Sequence, residues 1–237
     1  MGLLDLGKNV KISQRPLDII YAIDISGSMR DAKIQSVNNA MYELENLLRD
    51  EARKNPTAQV NIRILTFGGA EARWHLEERT DVEKYRYKDL NIIDRGMTPM
   101  GDAFGKLCDV LANDKMPTRG LKPIIVLLSD GQPNDTWEPN LQRLHSLSWG
   151  KRAIKVAIAI GKDANREVLA KFTGDEMLVL NANNSTDLQN FITWTSTLVT
   201  HTTNHASETN DEGNQKTADI KVPQPQTMLN DSNDEFV

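Results

Sequence analysis

Three short stretches of this sequence concentrate carboxylates, hydroxyls and glycines. They are Asp24-Ile25-Ser26-Gly27-Ser28, then Asp94-Arg95-Gly96-Met97-Thr98-Pro99-Met100-Gly101-Asp102, then Ser129-Asp130-Gly131-Gln132-Pro133-Asn134-Asp135. None of the three contains a histidine or a cysteine. Carboxylate, hydroxyl and water are the oxygen environment of a hard cation, whereas Zn²⁺ or Cu²⁺ favours imidazole or thiolate. Asp24, Ser26 and Ser28 alternate, so an extended chain turning at Gly27 points them the same way. A Mg²⁺ ion with two neutral hydroxyls and few charged ligands stays electrophilic. It keeps an open position and attracts an acidic group from outside.

Each stretch alone has an ordinary structural explanation. Ser-Gly-Ser is a common turn, and Ser28 or Asp31 could cap a following helix. Thr98-Pro99 could be a helix entry with Pro99 in the favoured first turn. Asp130-Gly131 with Pro133 could be a plain strand exit. Asp102 and Asp135 fit capping or supporting roles better than ligation. Only the three stretches together, each behind the right element, argue for a cation.

The elements that must position them follow from hydrophobic period. Apolar runs bounded by turn residues lie at Leu17–Ile25, Val60–Phe67, Ile124–Leu128, Ala153–Ile160 and Met177–Leu180. The run at Ile124–Leu128 is wholly aliphatic, as in a central parallel strand buried on both faces. Between them lie helical stripes: Ile34, Val37, Met41, Leu44 and Leu48; then Ala103, Leu107, Val110 and Leu111. A shorter stripe runs Leu141, Leu144, Leu147, with Gly150 placed to end it. A last helix starts near Ser185, its expected N-cap, and carries Leu188, Phe191, Ile192, Thr195 and Leu198–Val199. Residues 71–93 are more polar, and a short antiparallel edge strand is expected around Trp74–Leu76. Strands alternating with helices imply an α/β fold: a doubly wound, mostly parallel Rossmann-like sheet with helices on both faces and one antiparallel edge strand. Ligands of such sheets sit at the carboxyl ends of the strands where strand order reverses. The three stretches follow strands or precede a helix there.

Asp24-Ile25-Ser26-Gly27-Ser28-Met29, Thr98 and Ser129-Asp130-Gly131 in this order resemble the metal-ion-dependent adhesion site of von Willebrand factor A domains, over roughly residues 15–200. The resemblance implies direct metal ligation by Ser26 and Ser28, ligation by Thr98 directly or through water, and ligation by Asp24 and Asp130 largely through water. The implied ion is Mg²⁺, with Mn²⁺ or Ca²⁺ as alternatives. Met97 departs from the pattern, since many relatives carry a second glycine there; it would stiffen or partly cover the site. The phrase Leu128-Ser129-Asp130-Gly131-Gln132-Pro133-Asn134-Asp135 and the bare tail resemble, more narrowly, the bacterial TerY-type proteins of tellurite resistance and stress response. Those are often encoded beside a kinase-like protein and a metal-dependent Ser/Thr phosphatase, which the resemblance makes candidate partners.

The chain has 237 residues, 39% hydrophobic and 26% charged, with 28 bases, 33 acids and a net charge of −5. This is the composition of a globular protein rather than a disordered or nucleic-acid-binding one. One cysteine, Cys108, excludes an internal disulfide and reads as a small buried group. No leader-like segment or apolar run of membrane length stands out, so a cytoplasmic location without membrane contact is expected. Seven acids and two bases fall between His201 and Val237, so the whole −5 belongs to that segment. The division expected is an extension at 1–14, a domain at 15–200 and a disordered acidic tail at 201–237.

Competing sites are weaker. His75 and His145 lack metal spacing, and His201 and His205 share a weakly helical context. No phosphate-binding glycine loop, no nucleophile elbow and no stacking platform among Trp74, Trp137, Trp149 and Trp194 is evident. The function expected is therefore a non-enzymatic adaptor that binds an Asp or Glu of a partner protein through the metal. The alternatives are a Mg²⁺-dependent hydrolase or phosphatase, in which the ion polarises a phosphoryl oxygen, and a partner of an ATPase.

Overall fold

The computed structural model describes residues 14–94, 97–130 and 132–207, with the backbone alone for 205–207. The expectations for the N-terminal extension and for the segment from Glu208 onward lie outside the described residues, as do Arg95, Gly96 and Gly131. Among the described residues six strands and six α-helices follow one another: β1 (Arg15–Asp24), α1 (Ala32–Lys54), β2 (Ala58–Gly68), β3 (Glu71–Asp81), α2 (Met100–Val110), β4 (Ile124–Ser129), α3 (Glu138–Ser146), α4 (Ser148–Arg152), β5 (Ile154–Ile160), α5 (Arg166–Thr173), β6 (Val179–Ala182) and α6 (Ser185–Ser207). The strands form one sheet in the order β3-β2-β1-β4-β5-β6. All neighbours are parallel except β2 and β3. The chain leaves β1 toward β2 and returns to β4 on the other side. The strand order therefore reverses between β1 and β4, where a crevice forms at their carboxyl ends.

Alternation along β1 divides the core. Leu17, Ile19, Tyr21 and Ile23 face α1 and α6, while Ile20 and Ala22 face α2, α3 and α5. The helical stripe Ile34, Val37, Met41, Leu44 and Leu48 is buried in the first layer, and Leu107, Cys108 and Leu111 in the second. A 2.7 Å hydrogen bond between the Tyr21 and Thr195 hydroxyls ties α6 to the centre of the sheet.

Five local expectations need correction. The edge strand spans Glu71–Asp81 rather than a few residues around Trp74. Its charges, Glu71, Arg73, Glu77, Glu78, Arg79 and Asp81, mask the strand signal, and they are what keeps an open edge from pairing with another chain. The apolar run at Met177–Leu180 begins with a 3₁₀ turn at Glu176–Leu178, so Met177 is exposed and pairing starts at Val179. Asn184, not Ser185, caps α6: its Oδ1 accepts from the Asp187 amide at 2.8 Å, while the Ser185 hydroxyl bonds to Ser36. Gly150 does not end the helix at Leu141–Leu147. It lies within α4, where a Cβ would stand 1.8 Å from the Leu144 carbonyl oxygen, so close approach of backbone is its role. The last helix also continues to Ser207, seven residues beyond the expected boundary at 200.

Candidate functional site

The crevice at the carboxyl ends of β1 and β4 gathers the three stretches. Asp24 is the last residue of β1 and is fully buried. Its Oδ1 accepts from the Ser26 amide at 2.9 Å, and its Oδ2 accepts from the Ser129 hydroxyl at 2.6 Å. The chain then turns through a 3₁₀ segment at Gly27–Met29, which brings the Ser26 and Ser28 hydroxyls to 3.0 Å from each other. Ser26 is buried and Ser28 exposed, so this hydroxyl pair runs from the interior to the rim.

Two further loops lock against this turn. Gly68, at the end of β2, packs so tightly that a Cβ would lie 2.9 Å from the Ser26 amide nitrogen. The next residue, Gly69, accepts from the Met97 amide at 3.0 Å, which delivers the Thr98 loop to the crevice. Thr98 is buried, and its amide donates to Asn134 Oδ1 at 2.7 Å, while the Asn134 amide donates back to the Thr98 carbonyl at 3.3 Å. Met97 stands half-exposed at the rim. Asp135 accepts from the Gly101 and Asp102 amides at the start of α2, and Asp102 accepts from the Ala72 amide. Both carboxylates are thus consumed in positioning, as expected of helix-entry and supporting groups.

Asp130 follows β4 and is buried, and its Oδ1 has no hydrogen-bond partner. A buried carboxylate oxygen left in this state costs about 1–3 kcal/mol or more. Burial drives the Asp24 carboxyl up to about 6, and the charge of Asp130 pushes in the same direction, against the hydrogen bonds from Ser129 and Ser26. No salt bridge compensates either carboxylate among the described residues. Nor does any group of three or more His, Cys, Asp or Glu side chains converge there. Two buried carboxylates without a salt bridge, together with the Ser26, Ser28 and Thr98 hydroxyls of the same loops, make an oxygen-only donor set, which fits a hard divalent cation.

Sequence reasoning placed Ser129 and Asn134 in the third stretch without giving either a role, and it did not single out Gly68. Ser129 closes an otherwise aliphatic strand, a polar residue where β4 should be buried on both faces, and that signal could have been read. Nothing local marks Gly68, because its constraint comes from a neighbouring strand.

The von Willebrand factor type A domain profile matches residues 18–194. Inter-alpha-trypsin inhibitor heavy chain H3 of Rattus norvegicus is 29% identical over 126 residues, covering 50% of this chain and 13% of that protein. Among solved structures, the ArnB paralogue VWA2 of Sulfolobus acidocaldarius aligns with TM-score 0.55 and 19% identity, over 77% of this chain and 45% of that one. The pilus adhesin SpaC of Lactobacillus rhamnosus GG aligns with TM-score 0.59 and 13% identity, over 79% and 30%. BatB of Bacteroides thetaiotaomicron aligns with TM-score 0.54 and 14% identity, over 78% and 98%. The chain thus spans a small part of its curated relative and less than half of the first two structures. These structural likenesses concern the fold, and the domain is shared by proteins of very different size. With the profile covering both crevice-forming strands and the sheet around them, this chain belongs to the von Willebrand factor type A domain family.

Proposed function

We propose that the crevice holds one Mg²⁺ ion through Ser26, Ser28, Thr98, Asp24 and Asp130, and that an Asp or Glu side chain of a partner protein completes the ion's coordination. The single observation that carries this reading is the pair of buried, uncompensated carboxylates, with Asp130 Oδ1 unpartnered and Asp24 pushed up to about 6. When bound, the ion supplies positive charge with an exchangeable coordination position. The protein's own residues do the rest. Ser129 and the Ser26 amide orient Asp24, and Asn134 fixes the Thr98 backbone. Gly68 lets β2 close against the Ser26 turn.

Von Willebrand factor A domains are generally protein-interaction modules, and the reading is of binding rather than turnover. The Asp24 carboxylate that accepts from the Ser129 hydroxyl is fully buried with it, so this pair fits holding the crevice together better than acting on a substrate. In finer terms the proposal is a cytoplasmic adaptor of a TerY-type stress-response or tellurite-resistance system. Its partner would be the kinase-like protein or the metal-dependent Ser/Thr phosphatase, a choice supported by the sequence of the Leu128–Asp135 phrase and of the tail.

Isothermal titration of the metal-free full chain with MgCl₂ tests the metal site. Heat of one-site binding is expected for the native chain and its loss for Ser26→Ala and Asp130→Ala. An unchanged isotherm in both variants would overturn the proposed site. Capture of the kinase-like or phosphatase partner from its own operon, with Mg²⁺ and with EDTA, tests the function. Equal capture in both conditions would end the metal-bridged reading.

A further inference from the structure

Two arginines and one buried carboxylate share a sheet face toward the other end of β1. Strand alternation puts Asp18 on the face that packs against α2, α3 and α5, with Ile20 and Ala22. It puts Arg63 on the same face, with Leu65 and Phe67. Asp18 pairs in register with Asn61 and Ile20 with Arg63, so Arg63 stands one strand over and two residues further along. Arg79 comes to this place from β3. Its Nε and Nη2 donate to Asp18 at 2.7 and 2.6 Å, and Nη2 also lies 3.9 Å from the Met116 sulfur. Because β2 lies between β3 and β1, the Arg79 side chain crosses β2 to make these bonds. It crosses beside Arg63. Between the pairs Ile62–Thr80 and Ile64–Leu76, the residues Glu77, Glu78 and Arg79 oppose Arg63 alone. A bulge of this kind re-aims a side chain, and here it turns Arg79 over the sheet.

The two arginines are satisfied unequally. Arg79 gives Nε and Nη2 to Asp18, and its Nη1 makes no bond among the described residues. Arg63 is half-buried, and its guanidinium has neither a hydrogen bond nor a salt bridge among the described residues. Its Nε is buried without a partner, so the donors that reach the surface are its two Nη groups. Burial lowers the Arg63 pKa and Arg79 acts with it, while Asp18 and Glu77 act against it. An arginine keeps its proton under such conditions, so the unmet positive charge persists. Glu77 is exposed and forms no salt bridge with either arginine. The uncommitted donors thus belong to two separate guanidiniums. A carboxylate is filled by one guanidinium fork, whereas a phosphate has oxygens for both and carries nearly two charges at neutral pH.

We propose that Arg63 and Arg79 together bind a phosphate group, through the two Nη groups of Arg63 and Nη1 of Arg79. Asp18 is the positioning residue, since its two oxygens fix the Arg79 fork from beneath. The ligand is a phosphate oxyanion, either free or carried on a side chain. Glu77 stands beside it and limits its affinity. The site lies six residues along β1 from Asp24, ~20 Å away, so it is distinct from the crevice and needs no metal.

The test follows the arginine side-chain Nε–H resonances of the full chain in EDTA, near pH 7.5 and at constant ionic strength. Sodium phosphate, N-acetyl-phosphoserine amide and sodium acetate are titrated in turn. A saturable shift at Arg63 is expected with phosphate, with an affinity at least about tenfold above that for acetate. Arg63→Gln should weaken phosphate binding by about tenfold or more, read at the Arg79 Nε–H. That resonance stays on Asp18, so it also reports that the variant is folded. Glu77→Gln, at an exposed position, should strengthen binding by about threefold. Saturation by the phosphoserine amide as well as by phosphate assigns the site to phosphate carried on a side chain. Saturation by phosphate alone assigns it to the free ion. Shifts that never saturate, equal affinity for acetate, unchanged affinity in Arg63→Gln or no gain in Glu77→Gln overturn the proposal. EDTA keeps metal out of the crevice, so these measurements stand or fall separately from it.

Discussion

Strand β1 buries an aspartate near each end, and the two are treated in opposite ways. Asp18 receives a bidentate guanidinium from Arg79 on β3, with bonds of 2.7 and 2.6 Å. Among the described residues Asp24 receives the Ser129 hydroxyl and the Ser26 amide but no cation, and it feels the charge of Asp130, whose Oδ1 is unpartnered. Both are nearly inaccessible to water. One strand thus carries a carboxylate whose counter-cation is covalently part of the chain and another with no cationic side chain beside it among the described residues. The closed pair holds the edge strand to the sheet centre; the open pair leaves free energy to be recovered on binding.

The largest effect expected on this contrast comes from opening the closed pair. Arg79→Met leaves Asp18 buried without its cation and should destabilise the chain by about 3 kcal/mol in urea unfolding. The lower end of the usual range applies, because the Arg79 side chain is 27% exposed. Asp18→Leu/Arg79→Met should recover most of the loss, since a packed apolar pair is often as stable as a buried ion pair. A single variant as stable as the native chain would show that the two aspartates are not differently compensated.

A smaller change, of opposite sign, is expected at the open site. Asp24 titrates near 6 when folded, above its usual carboxylate range, because burial and Asp130 disfavour the charged form. Between about pH 4 and 6 the folded chain therefore binds more protons than the unfolded one, and stability is lost as pH rises through that window. Asp24→Asn removes the penalty. In EDTA at pH 7.5 it should gain about 1 kcal/mol over the native chain, net of the donor mismatch its amide creates toward Ser26 or Ser129. At pH 4 the gain should disappear. Equal differences at the two pH values in parallel urea titrations would remove the electrostatic distinction between Asp24 and Asp18.

The smallest effect sharpens the contrast from outside. Arg30 and Asp94 form a 3.3 Å pair at the rim of the crevice, with side chains 55% and 71% exposed. Asp94→Ala should change stability by no more than about 0.5 kcal/mol, because water and salt already screen the pair. A larger loss by the same urea measurement would mean that the rim, and not burial alone, sets the electrostatics of the crevice.

Much of this was legible along the chain. The stripe from Ile34 to Leu48 and the aliphatic run from Ile124 to Leu128 each repeat at the period of the element they became. Strand β3 was largely hidden, because an edge strand that resists aggregation alternates weakly and carries charge. Gly150 read as a helix stop because glycine ends helices often; its reason is instead a carbonyl of a neighbouring turn. Met97 was expected to stiffen or cover the site, and it stands at the rim with its amide on Gly69.

Sequence by itself determined the alternation of strands and helices, the composition of the loops at one end of the sheet, and the location of the net charge. Those properties are local: they depend on side-chain period and on residue type. Only the tertiary structure decided which carboxylate would meet a cation. Asp18 and Arg79 are 61 residues apart, Asp24 and Ser129 are 105 apart, and Arg15 and Arg119 are 104 apart. Which of these pairs forms is set by strand order and register, which bring distant segments side by side. Burial then sets how much each charge matters, because a carboxylate excluded from water is far more sensitive to its few neighbours than one left in it.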